Sequence, residues 1–255
     1  MDYAQQVQTL AQALQQAERI LLITGAGLSA DSGLPTYRGM GGLYNGHTDE
    51  GMPIEQALSG TMLRQRPELC WKYLAQLGQA VLAAAPNAGH HAIAALQQRK
   101  GQCWVLTQNI DGYHRQAGSP AARLIEIHGQ LAPLFCQSCG KVSENLEACL
   151  AQPLPPCCDT CGGVLRPPVV LFEEMLVDDD IGRLYREVAK GFEVVVLIGT
   201  SASFPYILEP ALRCQQAGGL VVEINPQRSA LSERVDIAIA APASSTLQDL
   251  LTSFS

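Results

Sequence analysis

The amino-acid sequence predicts an α/β fold, a doubly wound parallel sheet into which a smaller domain is inserted. Short, continuously apolar runs recur along the chain and alternate with stretches of helical periodicity. Several of these runs end in glycine or polar residues, as strands do at the ligand-binding edge of a parallel sheet. Two stretches, 40–100 and 132–165, lack this alternation and therefore stand outside the sheet.

Local patterns predict each element of the sheet in turn. Apolar residues at helical spacing, Val7, Leu10 and Leu14, indicate an amphipathic first helix over residues 3–17. The run Ile20–Thr24 is typical of a strand in a parallel sheet that is covered on both faces. The same pattern predicts four further strands, at Cys103–Thr107, Leu124–Ile127, Val194–Ile198 and Leu220–Ile224.

The two irregular stretches predict the inserted small domain. The first reads as helices with loops and includes a helical run from Pro67 to Ala85. The second is rich in cysteine, proline and glycine, so something other than an apolar core must order it. We therefore expect a Rossmann-like domain built from 1–39, 86–131 and 166–255, a helical insertion at 40–85 and a cysteine module at 132–165.

Composition and charge exclude several classes of protein. A hydrophobic fraction of 47% with 16% charged residues favours a packed enzyme over a disordered chain. The net charge of −7 leaves no electrostatic footprint for nucleic acid. The N-terminus lacks the basic residues of a signal peptide, and no apolar run approaches the length of a membrane span. We expect a soluble cytoplasmic protein with no nucleic-acid or membrane partner, whose cysteines are metal ligands or buried thiols.

The cysteine pattern predicts one structural zinc ion. Cys136 and Cys139 form one CxxC pair, Cys158 and Cys161 form a second, and 18 residues separate the pairs. This spacing is typical of a tetrahedral site in which each turn supplies two thiolates, and four protein ligands leave no position open for catalysis. Cys157 is a rival ligand that breaks the two-residue gap. Four unrelated buried cysteines are the alternative.

Three turns at predicted strand ends indicate a nucleotide site. The first, Gly25-Ala26-Gly27 with Ser29 beyond it, is similar to the glycine-rich turn that approaches a pyrophosphate. The second is Gly199-Thr200-Ser201, and the third ends in Asn225, whose amide suits ribose hydroxyls. Ordinary loop packing explains any one of these turns, but explains all three together less well.

A fourth strand end carries the candidate chemistry. Thr107-Gln108-Asn109-Ile110-Asp111 offers amides that can bind a carboxamide or a ribose, although an Asx-turn or helix cap would use the same residues. His128 follows the next strand and suits a general base, although such histidines are often structural. The other histidines, His47, His90, His91 and His114, have no comparable setting in the sequence.

Taken together, these segments resemble the sirtuin family over nearly the whole chain, from about Ile20 to Leu251. The matching segments occur in the family's order: GAGLSADSGLPTYRG, PNAGH, TQNIDGYH, HG, the CxxC pairs, RPPVVLFEE, GTS and EIN. The resemblance implies NAD as a cosubstrate and an acylated lysine of a protein or peptide as the other substrate. Nicotinamide, free lysine and O-acyl-ADP-ribose would be the products.

The resemblance also assigns roles by position. It implies that His128 and Asn109 are catalytic and that Val170 and Phe172 guide the acyl-lysine. It implies a site between the Rossmann-like and zinc-bearing domains, with the NAD contacts made by Gly25, Ala26, Gly27, Ser29, Arg38, Gln108, Asn109, Ile110, Asp111, Gly199, Thr200, Ser201, Asn225 and Ala243.

This chain departs from the family pattern at several places. Glu173 stands where the family has glycine, so its charge either favours basic sequences around the lysine or narrows the substrate range. The segment from Ser203 to Ile207 also differs from the family's commoner valine–proline form. Family members that remove succinyl groups carry a tyrosine and an arginine where this chain has Leu74 and Leu77, so we expect acetyl or other uncharged acyl groups.

Other functions remain to be separated. The main alternative is an NAD-dependent protein ADP-ribosyltransferase, or an NAD glycohydrolase, that uses the same pocket. A module that only binds NAD or acyl-lysine would not explain why His128 accompanies an intact TQNID segment. A zinc-ribbon protein that binds nucleic acid is disfavoured by the negative net charge. A dehydrogenase is disfavoured because no acidic residue ends a clear second strand about 20 residues after the glycine turn.

Overall fold

The computed structural model describes residues 1–36 and 48–254. In these ranges a parallel sheet has the strand order β3-β2-β1-β7-β8-β9, and a small antiparallel sheet has the order β5-β4-β6. The strands are β1 Arg19–Thr24, β2 Gln102–Thr107, β3 Leu124–Glu126, β4 Leu134–Cys136, β5 Val142–Ser143, β6 Leu165–Arg166, β7 Val194–Ile198, β8 Leu220–Ile224 and β9 Ile237–Ile239.

Helices cover the parallel sheet and build much of the small domain. None of those in the described ranges is long and apolar enough to cross a bilayer. They are α1 Tyr3–Gln16, α2 Ala26–Ala30, α3 Ile54–Ala57, α4 Gly60–Gln65, α5 Pro67–Ala83, α6 Ala88–Arg99, α7 Tyr113–Gln116, α8 Leu146–Leu150, α9 Asp178–Ala189, α10 Pro205–Gln216 and α11 Ala243–Ser253, with a short 3-10 helix at Ala121–Arg123.

The parallel sheet is buried on both faces. Successive residues of β1 contribute to different cores: Ile20 and Leu22 pack in one cluster with α1, α6 and α11. Leu21 and Ile23 pack in the other cluster with α9 and α10. Because side chains alternate across a strand, these continuous apolar runs are explained by a helical layer on each face.

The small domain draws one core from both irregular stretches. Residues of α3, α4 and α5 pack against residues of the cysteine module and against Val169 and Leu171. Trp71 of α5 is 1% exposed and donates its indole N–H to the Leu165 carbonyl of β6, at 2.9 Å. The helical and cysteine-bearing stretches are thus ordered against each other, as an inserted domain requires.

All five strands predicted for the parallel sheet are present, with small changes of extent. The third strand ends at Glu126, so Ile127 lies outside it, and the first helix ends at Gln16. Two features were not predicted from the sequence: β9, which has three residues, and the small sheet, whose strands have two or three. The domain boundaries stay a prediction.

Candidate active site

The first glycine turn and the GTS turn lie against each other at the carboxyl edge of the parallel sheet. The backbone N–H of Gly25 donates to the Ile198 carbonyl, and that of Gly27 donates to the Gly199 carbonyl. A Cβ on Gly25 would lie 2.8 Å from the Gly199 oxygen, and a Cβ on Gly27 would lie 2.7 Å from the Gly199 Cα. Both glycines are therefore required for the backbone contact between β1 and β7 before any ligand is considered.

The loop after β2 connects these turns through its amide side chains. Gln108 donates from Nε2 to the Thr200 hydroxyl at 2.7 Å. Asn109 is 9% exposed and donates to the Gly25 carbonyl and to the Ser29 hydroxyl, both at 3.0 Å. Three strand ends that are far apart in sequence, those of β1, β2 and β7, are thereby held in one polar network.

Asp111 closes the buried side of this network. Its carboxylate accepts from the Ser29 hydroxyl at 2.7 Å and from the Tyr113 backbone N–H at 2.9 Å. Burial raises the pKa of Asp111, although both hydrogen bonds oppose that change. Ile110 instead contacts the small-domain core, and its carbonyl accepts from Leu131.

Two histidines that the sequence analysis set aside lie beneath the same network. His114 is 1% exposed, and its Nε2 lies 2.9 Å from the Thr24 hydroxyl. His90 is fully buried, with its ring 5.2 Å from that of His114. Burial lowers the pKa of His90 to about 4 and that of His114 to about 3, so both are neutral supports of the site. The sequence did not indicate this setting for His90 and His114, whereas His91 is exposed. His47 lies outside the described residues.

His128 lies two residues beyond β3 and is held at both ring nitrogens. Its Nδ1 is 3.0 Å from the Gln108 carbonyl and its Nε2 is 2.7 Å from the Tyr206 hydroxyl. Burial lowers the pKa of the imidazole, and the hydrogen bond with the Gln108 carbonyl partly opposes this. The ring is therefore mainly neutral near pH 7, which is the form that can accept a proton.

The residue after the histidine must be glycine. Gly129 has φ +77°, and a Cβ there would overlap the Pro168 carbonyl oxygen. This close approach lets the segment from Pro168 to Phe172 run beside the histidine turn. The Val170 backbone N–H donates to the His128 carbonyl at 2.9 Å.

The same segment continues to the helical part of the small domain. Phe172 donates its backbone N–H to the Leu58 carbonyl and accepts from the Gly60 N–H, both at 3.0 Å. Val170 and Phe172, which the resemblance assigned to substrate, thus lie on a strand-like bridge between the histidine turn and the small domain. Both are partly exposed.

Two glutamates follow Phe172 and behave differently. Glu174 accepts a bidentate pair of hydrogen bonds from Arg166, at 2.9 and 3.0 Å, and one from the Leu171 backbone N–H. Glu173 is exposed and has φ +68°, a left-handed conformation that favours glycine. The structure thus places a charged side chain on a backbone geometry suited to the family's glycine.

The remaining predicted NAD contacts divide into three groups. Asn225 donates from Nδ2 to the Thr200 carbonyl at 3.0 Å, while Ser201 is exposed beside it. Ala243 begins α11 and is 2% exposed inside the core, so its side chain is occupied by packing. Arg38 lies outside the described residues.

The four cysteine sulfurs converge at the far end of the small domain. They all lie within 4.8 Å of one another, with Cys136 and Cys161 3.4 Å apart and Cys139 and Cys158 3.8 Å apart. Zn–S bonds of about 2.3 Å in a tetrahedron place sulfurs about 3.8 Å apart, so the donor set fits zinc. The Cys139 backbone N–H lowers the pKa of the Cys136 thiol to about 6, which favours the thiolate that a metal needs.

Backbone turns at the two CxxC pairs also match a zinc knuckle. Gly140 and Gly162 both have φ +73°, and their N–H groups donate to the carbonyls of Cys136 and Cys158. The exposed Cys157 does not belong to the cluster, and its sulfur instead lies 3.5 Å from the Pro155 carbonyl. This agrees with the ligand set predicted from spacing.

The parallel sheet carries facing glycine turns, a buried amide network and a neutral histidine at its carboxyl edge. This arrangement is typical of α/β enzymes that use a nucleotide. Within that class, an inserted domain with a four-cysteine cluster is a more specific feature. The model of the Sir2 family matches residues 25–205. The chain therefore belongs to the Sir2 family, the sirtuins.

Relatives and solved structures agree with this placement. A Pseudomonas aeruginosa protein named NAD-dependent protein deacylase 2 is 68% identical over 95% of both chains. A Pseudomonas syringae pv. tomato protein of the same name is 60% identical over 95% of this chain and 98% of its own. A mutant Sir2 homologue solved with 2'-O-acetyl ADP ribose is 33% identical, has a TM-score of 0.85 and covers 100% of this chain and 96% of its own. A Sir2 homolog–NAD complex is 34% identical, with a TM-score of 0.83 over 96% of this chain and 93% of its own.

Sequence reasoning missed three residues of the site. His90 and His114 gave no signal because nothing in their local sequence shows that a fold will bury them together. Tyr206 lies in the segment noted as departing from the family pattern, and that departure was the only available signal. Its contact with His128 spans 78 positions of sequence.

Proposed function

We propose that this protein removes acyl groups from lysine side chains of proteins in an NAD-consuming reaction, with O-acyl-ADP-ribose and nicotinamide as products. The observation that carries this proposal is the position of His128. Its ring lies beside the amide network that joins three strand ends, and its backbone carbonyl accepts from Val170 of the substrate segment. The names of the relatives and the ligands of the related structures support the same reaction.

The NAD site in this proposal follows the carboxyl edge of the parallel sheet. The turn Gly25–Gly27, with Arg38, would hold the pyrophosphate and the nicotinamide ribose. Gly199–Ser201 and Asn225 would hold the adenosine half, where only the backbone of the buried Ala243 could touch the adenine. Gln108, Asn109, Ile110 and Asp111 would line the nicotinamide and ribose pocket, with Ser29 supporting Asn109 and Asp111. Amides suit a carboxamide because they offer both a donor and an acceptor.

His128 is the general base of the proposed reaction. The acyl oxygen attacks the ribose carbon as nicotinamide leaves, and a ribose hydroxyl must then lose its proton in order to attack the acyl carbon. The Gln108 carbonyl can only accept, so Nδ1 carries the ring proton and Nε2 keeps the lone pair that takes the new one. Asn109 assists by its fixed side chain, which is held by two hydrogen bonds in the pocket.

One zinc ion would be held by Cys136, Cys139, Cys158 and Cys161 in a structural role. The site offers four protein ligands and lies in the small domain, apart from the histidine turn. Zinc would order the cysteine module, and the shared core would transmit that order to α5 and to the segment that carries Val170 and Phe172.

We further propose a preference for acetyl and other uncharged acyl groups. Leu74 is 2% exposed on α5, and Leu77 on the next turn packs partly buried against the same core. An acyl carboxylate placed beside these side chains would lose hydration without gaining a partner. Succinyl-lysine should therefore turn over with a kcat/KM at least about 100-fold below that of acetyl-lysine, because an unpaired buried charge costs several kcal/mol.

A panel of acyl-lysine peptides, followed by mass spectrometry with and without NAD, tests this function. We expect NAD-dependent loss of acetyl groups and equimolar O-acyl-ADP-ribose in solution. Labelled ADP-ribose attached to protein, with no acyl transfer, would favour the ADP-ribosyltransferase alternative. Desuccinylation that matched deacetylation in kcat/KM would contradict the proposed acyl preference alone.

A further inference from the structure

The hydroxyl of Tyr206 lies 2.7 Å from Nε2 of His128, the nitrogen assigned above as the proton acceptor. Nδ1 on the other side of the ring faces the Gln108 carbonyl at 3.0 Å. The imidazole is thus held from two different strand ends, β2 through Gln108 and β7 through the turn that leads to Tyr206. Two opposed hydrogen bonds fix the plane of the ring as well as its position.

The backbone before Tyr206 places it rigidly. Ala202 is fully buried and has φ +50°, so the chain turns sharply after the GTS residues. Pro205 then opens α10, and Tyr206 occupies the first turn of that helix. The ring of Phe204 stacks on that of Tyr206 with centroids 5.3 Å apart and planes 11° from parallel.

The same two aromatic rings enclose the imidazole. Phe204 and Tyr206 each meet the His128 ring nearly at right angles, with centroids 5.8 and 6.0 Å away. Such edge contacts restrict rotation of the histidine about its side-chain bonds. Phe204 is 39% exposed, so this cluster borders open space on its outer side.

The protonation of both partners agrees with donation by the tyrosine. Burial raises the pKa of the Tyr206 hydroxyl to about 12, so it keeps its proton near pH 7. Nε2 is the unprotonated nitrogen and can only accept. The carboxylates of the adjoining segments are engaged elsewhere: Glu126 with Arg115 and Gln130, and Asp111 with Ser29 and Tyr113.

We propose that Tyr206 is a positioning residue for the base, which donates a hydrogen bond to His128 Nε2 and holds the ring ready until the ribose hydroxyl replaces the phenol as the donor. This inference rests on the proposed function of His128. The phenol and the ribose hydroxyl present the same group, an O–H, to the same lone pair. Tyr206 therefore acts on the orientation of the base and takes no part in bond making or breaking.

The Tyr206→Phe variant tests this role because it keeps both stacked rings and removes only the hydroxyl. We expect kcat for deacetylation to fall about 10-fold, since small misplacement of a base weakens its contribution, with KM for NAD and for peptide within about twofold. In ¹⁵N spectra of histidine-labelled protein, the Nε2 signal of His128 should move to the position of an imidazole nitrogen that accepts no hydrogen bond. Tyr185→Phe, an exposed tyrosine on α9, is the matched control and should change neither readout.

A Tyr206→Phe variant with unchanged kcat and an unchanged Nε2 signal would overturn the role of Tyr206. So would a rise in KM for NAD with unchanged kcat, which would indicate a binding role instead. His128→Ala is assayed in parallel. If His128→Ala keeps full turnover, the proposed function fails, whereas an inactive His128→Ala beside a fully active Tyr206→Phe removes only this inference.

Discussion

The carboxyl edge of the parallel sheet and the cysteine module of the small domain are ordered in different ways. At the carboxyl edge, backbone segments approach so closely that Gly25, Gly27 and Gly199 leave no room for a Cβ. In the cysteine module, Gly140 and Gly162 have open space around them, and the strands have two or three residues. The first region is held by close backbone packing, while the turns of the second converge on four sulfurs beside the small-domain core.

This difference matters because the segment from Arg166 to Glu174 joins the two regions. Arg166 belongs to β6 of the small sheet and forms a salt bridge with Glu174. Between them in sequence, the Val170 backbone N–H donates to the His128 carbonyl. In the proposed reaction, the segment that would contact the substrate is therefore joined to the cysteine module, whereas the proposed base lies in the densely packed region. Substitutions in the two regions should therefore have different effects on zinc content, stability and activity.

Removal of one zinc ligand should produce the largest difference between the responses of the two regions. In Cys158→Ala, we expect zinc content to fall from one ion per chain to near zero and deacetylation to be lost. The physical reason is that zinc binding supplies on the order of 10 kcal/mol to small modules of this kind. The parallel sheet should persist, as judged by far-ultraviolet circular dichroism and by a remaining cooperative unfolding transition.

Cys157→Ala is the matched control for that variant. Cys157 is the neighbouring exposed cysteine and lies outside the sulfur cluster, so zinc content and activity should match those of the original protein. Loss of zinc in Cys157→Ala, or its retention in Cys158→Ala, would show that the ligand set is wrong.

Replacing one glycine in each region by alanine should reveal the difference in packing as a difference in the free energy of unfolding. Gly199 and Gly162 both have positive φ, but only at Gly199 would a new Cβ meet backbone, 2.5 Å from the Leu28 nitrogen. Gly162→Ala should lower the free energy of unfolding by about 1 kcal/mol through backbone strain. Gly199→Ala adds overpacking and should lower it by at least about 3 kcal/mol in urea titrations. Equal losses would contradict the proposed difference in packing.

Substitutions of Glu173, in the segment that joins the two regions, should have the smallest effects on stability and on peptide binding. Glu173→Gly relieves the positive φ, but a more flexible unfolded chain offsets this, so the free energy of unfolding should rise by less than about 1 kcal/mol. Glu173→Gln removes only the charge. If that charge favours basic sequences, both variants should raise KM about threefold for peptides with arginine beside the lysine, because exposed ion pairs contribute below about 1 kcal/mol.

A neutral peptide serves as the control, since its KM should not respond to the charge. If Glu173→Gly alone changes turnover and broadens the range of accepted peptides, the backbone rather than the charge is responsible, and Glu173 narrows the substrate range instead.

The sequence was most informative where local pattern and chemistry coincide. Apolar runs located the strands β1, β2, β3, β7 and β8, because a strand covered on both faces needs no polar residue. The CxxC spacing predicted the ligand set, because a knuckle is a local turn. The convergence of the strand ends was predictable because parallel strands present their carboxyl ends at one edge.

Contacts made by the fold alone were not predictable. The strands β4, β5, β6 and β9 are too short for a periodic pattern, and pairing rather than propensity defines them. His90 on α6 and His114 on α7 are buried together, and nothing in the local sequence indicates that these two helices pack in this way. The hydrogen bond between His128 and Tyr206 depends on how the turn after β7 is directed, and the positive φ of Ala202 is not readable from an alanine.

The central claim is that His128 is the base of an NAD-dependent deacylation. The most direct test is the rate of O-acyl-ADP-ribose formation by His128→Ala with acetyl-lysine peptide and NAD, measured alongside zinc content and thermal unfolding. We expect a fall in kcat of at least about 100-fold, as for removal of a general base, with zinc retained and the unfolding transition preserved. Full turnover by a folded, zinc-loaded His128→Ala would contradict it.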